Sequence, residues 1–188
     1  MRIEADFDYS VIAEMGKIEA KYGQKCVDRA TADALKAGKT ELSTQIREVY
    51  EMKKKDIDSY IEKEKDALHV ESRTLTIGND THFKNTPKSY KSQKDIAVSK
   101  RKRVTVTVKK GNKEKLNHAF IANPDKIGRA MVWQRKDSKH IEPVKSLSAA
   151  QMASNEVIAK KTMDTMEKTM EKRLEHYAER EAKRIANH

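Results

Sequence analysis

The sequence predicts an α+β fold: a small, mainly antiparallel sheet flanked by a long N-terminal helix and a long C-terminal helix. Three stretches carry that prediction. Between Lys17 and about Glu51, apolar and small residues recur every three or four positions, the period of an amphipathic helix. In Val104–Ala122, Val104, Val106 and Val108 alternate with Thr105, Thr107 and Lys109, the period of a half-buried strand. From about Ala149 to Ile185 an apolar stripe returns at helical spacing.

Taken in order, residues 1–16 admit two readings. Ile3 and Ala5 suit a short strand, whereas Val11, Ile12 and Met15 suit a helical turn. The first helix follows, with Ile18, Tyr22, Cys26, Ala30 and Ala34 four apart, and its face continues through Leu42, Ile46 and Val49. No proline interrupts it, and Gly38 costs roughly 1 kcal/mol relative to Ala. Ala30, Ala34, Ala37 and Gly38 narrow the middle of the stripe, so a packing partner can approach closely there. At ~35 residues the helix would span on the order of 50 Å. Met52–Ile57, with Tyr60 and Ile61 a turn later, reads as a short second helix after a change of direction.

Val70 to Ile77 reads as a strand that Gly78-Asn79-Asp80 ends with turn chemistry. Residues 81–101 are polar and basic, a long loop around Pro87, and such a loop is usually functional or disordered. Val104–Ala122 is expected to be one hairpin at the centre of the sheet. Gly111-Asn112 lies in its basic turn, where positive φ is cheap. Phe120 and Ala122 share one face of its second strand, Ala119 and Ile121 the other. After an Asn123-Pro124-Asp125 turn, Ala130–Lys136 forms a further strand, with Met131 and Trp133 opposite Val132. Asp137-Ser138 and Pro143 mark a loop, and Ser146 or Ser148 caps the last helix. Along that helix Met163, Met166, Met170, Leu174, Tyr177 and Ile185 are expected on one face. The expected organisation is a single domain over 1–188: a helical part at 1–65, a basic β part at 66–145 and a C-terminal helix at 146–188.

Composition narrows the class. Charged residues make up 37% of the 188, and so do Ala, Val, Ile, Leu, Met, Phe, Trp, Tyr and Cys together. So lean an apolar share suits a small globular centre with long solvated helices, or a subunit completed by neighbours. The lone Cys26 has no internal disulfide partner, which points to synthesis in a reducing cytoplasm. The acidic start MRIEADFDYS lacks the apolar core of a secretory signal, and no apolar run approaches the ~18 residues a membrane span requires. The net charge of +11 is concentrated. Between His82 and Lys145 there are 18 Lys and Arg against 5 Asp and Glu, so the middle third holds all the positive excess.

No catalytic constellation is visible. The six histidines never fall at metal-ligand spacing with Cys or with one another, and no phosphate-binding glycine loop or nucleophile elbow occurs. His176, near Glu175 and Glu179, reads as part of a solvated helix face, and Cys26 as a small buried hydrophobe. The sequence therefore predicts a protein that is not an enzyme and uses no cofactor or metal. Lys100, Arg101, Lys102 and Arg103 abut the first strand, and Lys109, Lys110, Lys113 and Lys115 crowd the turn. These eight are the candidate binding residues, for DNA phosphates or for an acidic partner protein. Aromatic residues are sparse among them, so stacking on single-stranded bases is not indicated. Met163, Met166, Met170 and Leu174 are candidates for a subunit-contact face. Packing against the sheet or the first helix is the preferred reading of the same stripe, and the run is too short and irregular for a coiled coil.

In segment order the chain resembles the minor tail protein Z family of tailed bacteriophages and prophages. The resemblance rests on the alanine-bearing helix ending in EMKKKDI (Glu51–Ile57), then THFKNTP (Thr81–Pro87), then VTVTVKKGNKEKLNHAFIA. It continues through the strand at Met131–Lys136, the link HIEPVKSLSAAQM (His140–Met152) and a charged terminal helix. Together these cover most of the chain, with the KKG…AFIA block the most specific. LSAAQM lacks the glycine-proline turn that the family's link often carries. The resemblance implies a structural virion protein made in the bacterial host cytoplasm. Such a protein completes the head-proximal end of the tail and joins it to the neck, as a homo-oligomeric ring among other tail and neck proteins around the genomic DNA. The rival reading is a basic nucleic-acid-binding protein acting free in the host cytoplasm.

Overall fold

The computed structural model describes residues 1–4, 20–64, 67–73, 75–76, 104–122 and 131–187. These residues are mixed helix and antiparallel sheet, an α+β fold with a long helix toward each end. They divide into two compact units, each assembled from separate stretches of chain.

The first unit comprises Met1–Gln45, Tyr60–Val70 and Ala153–His188. Its frame is the long helix α1 (Ala20–Val49), which contributes its length up to Gln45, and the terminal helix α4 (Glu156–Ala186). The two run antiparallel. Thr31 meets Met170, Asp33 meets Tyr177 and Gln45 meets Lys161. Cys26, Val27, Ala30 and Ala34 of α1 pack with Met170 and Leu174 of α4, with Tyr177 half-buried at the margin. Full burial of one such leucine or methionine contributes roughly 1.5–3 kcal/mol. The narrow stripe expected at Ala30–Gly38 is used as a close approach. A methyl at Gly38 would fall on Cγ and Sδ of Met166 and within 3.3 Å of Leu68 Cδ1. Beside the helices, β1 (Arg2–Glu4), β2 (Ile61–Lys63) and β3 (Ala67–Val70) form a sheet in the order β1-β3-β2. Ile3, Ile61, Leu68 and Val70 are buried, and Lys39 Nζ donates to the Ile61 carbonyl at 2.6 Å.

The second unit comprises Ile46–Ser59 and Glu71–Met152. It holds the end of α1, the short helix α2 (Lys54–Ser59), seven short strands and most of α3 (Ala149–Ala153). The strands make three sheets. A pair joins β4 (Leu75–Thr76) to β10 (Lys145–Ser146), and a hairpin joins β5 (Thr105–Thr107) to β6 (Lys113–Lys115). A three-stranded sheet takes the order β7-β8-β9, from β7 (Ala119–Ala122), β8 (Met131–Arg135) and β9 (Ile141–Pro143). Val104 and Val106 at the hairpin and Val132 on β8 are buried.

Several expected boundaries are corrected. Val104–Ala122 is not one hairpin, because β5 pairs with Lys113–Lys115 while Ala119–Ala122 pairs with β8 in a different sheet. The switch falls at Asn117–His118, where His118 takes a φ of 57°, a left-handed turn that re-aims the chain. The expected strand Val70–Ile77 is broken by exposed Glu71, Ser72 and Arg73, leaving β3 before them and β4 after, with Ile77 outside the described residues. The second helix stops at Ser59, and Ile61 opens β2 rather than closing a helical turn. The first helix ends at Val49, two residues early, because Tyr50 leaves it to bridge Lys109. The expected loop around Pro143 contains β9 and β10. The terminal helix is interrupted at Ser154–Asn155, and each part has its own cap. Ser148 Oγ accepts from the Gln151 N–H at 3.2 Å while Gln151 Oε1 accepts from the Ser148 N–H at 2.8 Å, a reciprocal capping box. Asn155 Oδ1 then accepts from the Val157 N–H at 3.2 Å.

Candidate functional site

The turn between β5 and β6 is built by local backbone chemistry. Asn112 N–H donates to the Lys109 carbonyl at 3.1 Å, and Gly111 takes a φ of 77°, which a side chain would disfavour. Asn112 Nδ2 donates to Glu114 Oε1 at 3.2 Å, and below the turn the Leu116 N–H donates to the Val104 carbonyl at 2.9 Å. Inward-facing Val104 and Val106 anchor the hairpin, so the lysines are left outside.

The turn is also tied to the end of α1. Tyr50 and Lys109 form an antiparallel bridge, the Glu51 N–H donates to the Val108 carbonyl at 2.9 Å, and the Lys110 N–H donates to the Val49 carbonyl at 2.9 Å. Tyr50 itself is buried. The cationic turn is thus stapled by main-chain bonds to Val49–Glu51, where α1 ends.

Of the predicted binding residues, Lys109, Lys110 and Lys115 are exposed on this hairpin, and Lys113 lies on β6 opposite Thr107. Lys100, Arg101, Lys102 and Arg103 lie outside the described residues, as does the loop at 81–101. Sequence reasoning missed Lys53, Lys54 and Lys55. All three are exposed, just past the Tyr50–Glu51 contact with the hairpin. The run KKK was visible in the sequence, but only the Tyr50–Lys109 bridge connects it to the turn.

The methionine stripe is largely absorbed by packing. Met166, Met170 and Leu174 are buried within the first unit, whereas Met163 is 39% exposed and Ile185 41%. The buried line runs Ile158, Thr162, Met166, Met170, Leu174 and Ala178. It takes Thr162 in place of Met163 because the Thr162 hydroxyl donates to the Ile158 carbonyl at 2.8 Å and needs no other partner. The expected placement of Met163 and Ile185 on the buried face is therefore corrected.

A second polar cluster lies between α1 and α4 in the first unit. Tyr177 Oη donates to Asp33 Oδ2 at 2.8 Å, and Arg173 Nε is 3.3 Å from the same oxygen. The hydrogen bond to Asp33 raises the tyrosine pKa. Further along, buried Glu181 pairs with Arg29 at 3.7 Å and Arg184 at 3.4 Å. Burial, with a smaller contribution from the Glu181 charge, pushes the Cys26 thiol above its ordinary value. An unactivated thiol of this kind is a packing group. An open groove of about 410 Å³ lies along this helix pair, and its Asp33, Arg173, Thr40 and Thr169 are all engaged with one another or with their own helices.

At the β8–β9 turn, Asp137 accepts from the N–H groups of Lys139 and His140, both at 2.8 Å, and from the His140 ring. The backbone N–H of Lys139 and the His140 bonds lower its pKa, so this carboxylate closes a turn. Among the described residues no group of three or more His, Cys, Asp or Glu is placed to hold a metal ion. No helix among them is long and apolar enough to cross a membrane. No protein-family model, curated protein or solved structure matches the chain.

Proposed function

We propose that this chain is a structural virion protein that completes the head-proximal end of a phage tail and joins it to the neck, assembled as a homo-oligomeric ring with other tail and neck proteins. The observation that carries the reading is the stapled cationic turn. It is formed by the KKG block on which the resemblance to the minor tail protein Z family chiefly rests, and the two main-chain hydrogen bonds of the Tyr50–Lys109 bridge tie it to Val49–Glu51, where α1 ends. A turn fixed in this way presents charge at a defined position, which suits a component that must register against a neighbour. Charge segregation adds support. The second unit carries 23 Lys and Arg against 11 Asp and Glu, the first 17 against 18, so one unit holds a net +12 and the other −1. In this reading no catalytic role is assigned to any residue.

The segregated charge also favours the rival, a nucleic-acid-binding protein acting free in the host cytoplasm. Co-sedimentation across a salt series separates the two. The structural role predicts association with tail or neck proteins that persists as salt rises. Tight binding of duplex DNA by a monomer, lost steeply with salt and with no association to tail proteins, would favour the rival.

A further inference from the structure

We propose that Lys53, Lys54 and Lys55 complete the surface begun by the β5–β6 turn, and that this composite face binds the phosphate backbone of duplex DNA. The inference deepens the proposed role of the cationic turn and rests on that turn being a contact surface. Its geometry follows from backbone links within one unit. Glu51 donates to Val108, and Tyr50 bridges Lys109, so the chain leaves the hairpin only two residues before Lys53. Bridged strand residues sit about 5 Å apart and the chain advances at most ~3.6 Å per residue, which places Lys53 Cα within roughly 16 Å of Lys109 Cα. At about 3.4 Å per nucleotide along one strand, that separation is covered by four to five phosphates.

Chemistry selects phosphate over an acidic protein. Protein interfaces bury an apolar, often aromatic centre and are depleted of lysine. Here Lys53–Lys55 and Lys109–Asn112 are all exposed, while Met52 and Ile57, the large apolar side chains that flank the lysine run, are buried. The one large hydrophobic in this unit that is exposed among the described residues, Ile141, lies on β9 opposite Arg135. Glu114 is the single acid on the hairpin, and Asn112 engages it. Half-buried Glu51 and Asp56 flank the lysine run, so the exposed face is lysine-rich; it supplies point charges without base readout, and binding should depend on charge and salt rather than on sequence.

The test uses the full chain, a 20-base-pair duplex and two variants, Lys53→Ala/Lys54→Ala/Lys55→Ala and Lys109→Ala/Lys110→Ala. Each set replaces exposed side chains, and thermal melts check that folding is retained. The triple variant should bind about tenfold or more weakly at low salt, and the slope of log K against log salt should become shallower by about 2–3, near 0.9 for each lost phosphate contact. The double variant should flatten it by about 2. An unchanged slope and affinity in the folded triple variant would overturn the composite face. So would equal binding, charge for charge, to poly-glutamate, which would point to an acidic protein instead. Absence of duplex binding by the wild-type chain would also overturn it, while leaving the tail role to be judged by particle yield.

Discussion

Gly38 sits where α4 and β3 both press on α1, and a Cβ there has no room beside Met166 and Leu68. Gly38→Ala sets a helix-propensity gain of about 1 kcal/mol against an overpacking cost of about 1–3 kcal/mol, so a net loss of about 1 kcal/mol is expected in chemical denaturation. Pairing it with Met166→Ala should recover the clash term, giving a favourable coupling in the double-mutant cycle. Tyr177 supplies a pH-dependent test. Its bond to Asp33 raises the folded-state pKa above the unfolded one, so its contribution is fully present below about pH 10 and is lost as pH rises through the raised value. The difference in Tm between wild type and Tyr177→Phe should therefore be largest near neutrality and shrink at strongly alkaline pH. Cys26, buried with a raised pKa, should react slowly with an alkylating reagent at pH 7 and rapidly once the chain is unfolded. The small-residue stripe and the buried cysteine were legible because helical spacing alone puts them inward. Thr162 was not, since its burial depends on a hydroxyl bonded to its own helix.

The elements themselves were legible where periodicity is long and illegible where pairing decides. Both long helices follow from their apolar spacing, but the interruption at Ser154–Asn155 rests on a cap, with no glycine or proline to announce it. Asn155→Ala should cost about 1 kcal/mol through the lost bond to the Val157 N–H, measurable as a lowered denaturation midpoint. Ser148, by contrast, advertised its role through the Ser-x-x-Gln spacing that the capping box uses. In Val104–Ala122 alternation located the strand residues but could not assign their partners. Register depends on the turn at Lys109–Asn112 and on the left-handed His118; the pairing of β7 with β8 joins the strands on either side of the expected Asn123-Pro124-Asp125 turn, which lies outside the described residues. The short strands β9 and β10 look like loop in the sequence because two or three residues are too few for a period to show.

For the whole molecule, the concentration of positive charge in the middle third was plain in the sequence, and Lys53–Lys55, from outside that third, fall in the same unit as the described hairpin lysines. Fold class followed from pattern; function did not, because a cationic hairpin is compatible with more than one polyanion. The reading as a tail-completion protein draws on the resemblance in segment order together with the hydrogen-bonded turn. Within it, the basic unit faces DNA while the remaining surfaces contact neighbouring subunits and tail or neck proteins. The most direct measurement is the yield of infectious particles after the gene is deleted from the phage or prophage that encodes it. The account predicts that infectious yield collapses while heads and tails still accumulate, and that supplying the intact chain restores it. Infectious particles formed at normal yield without the gene would contradict it.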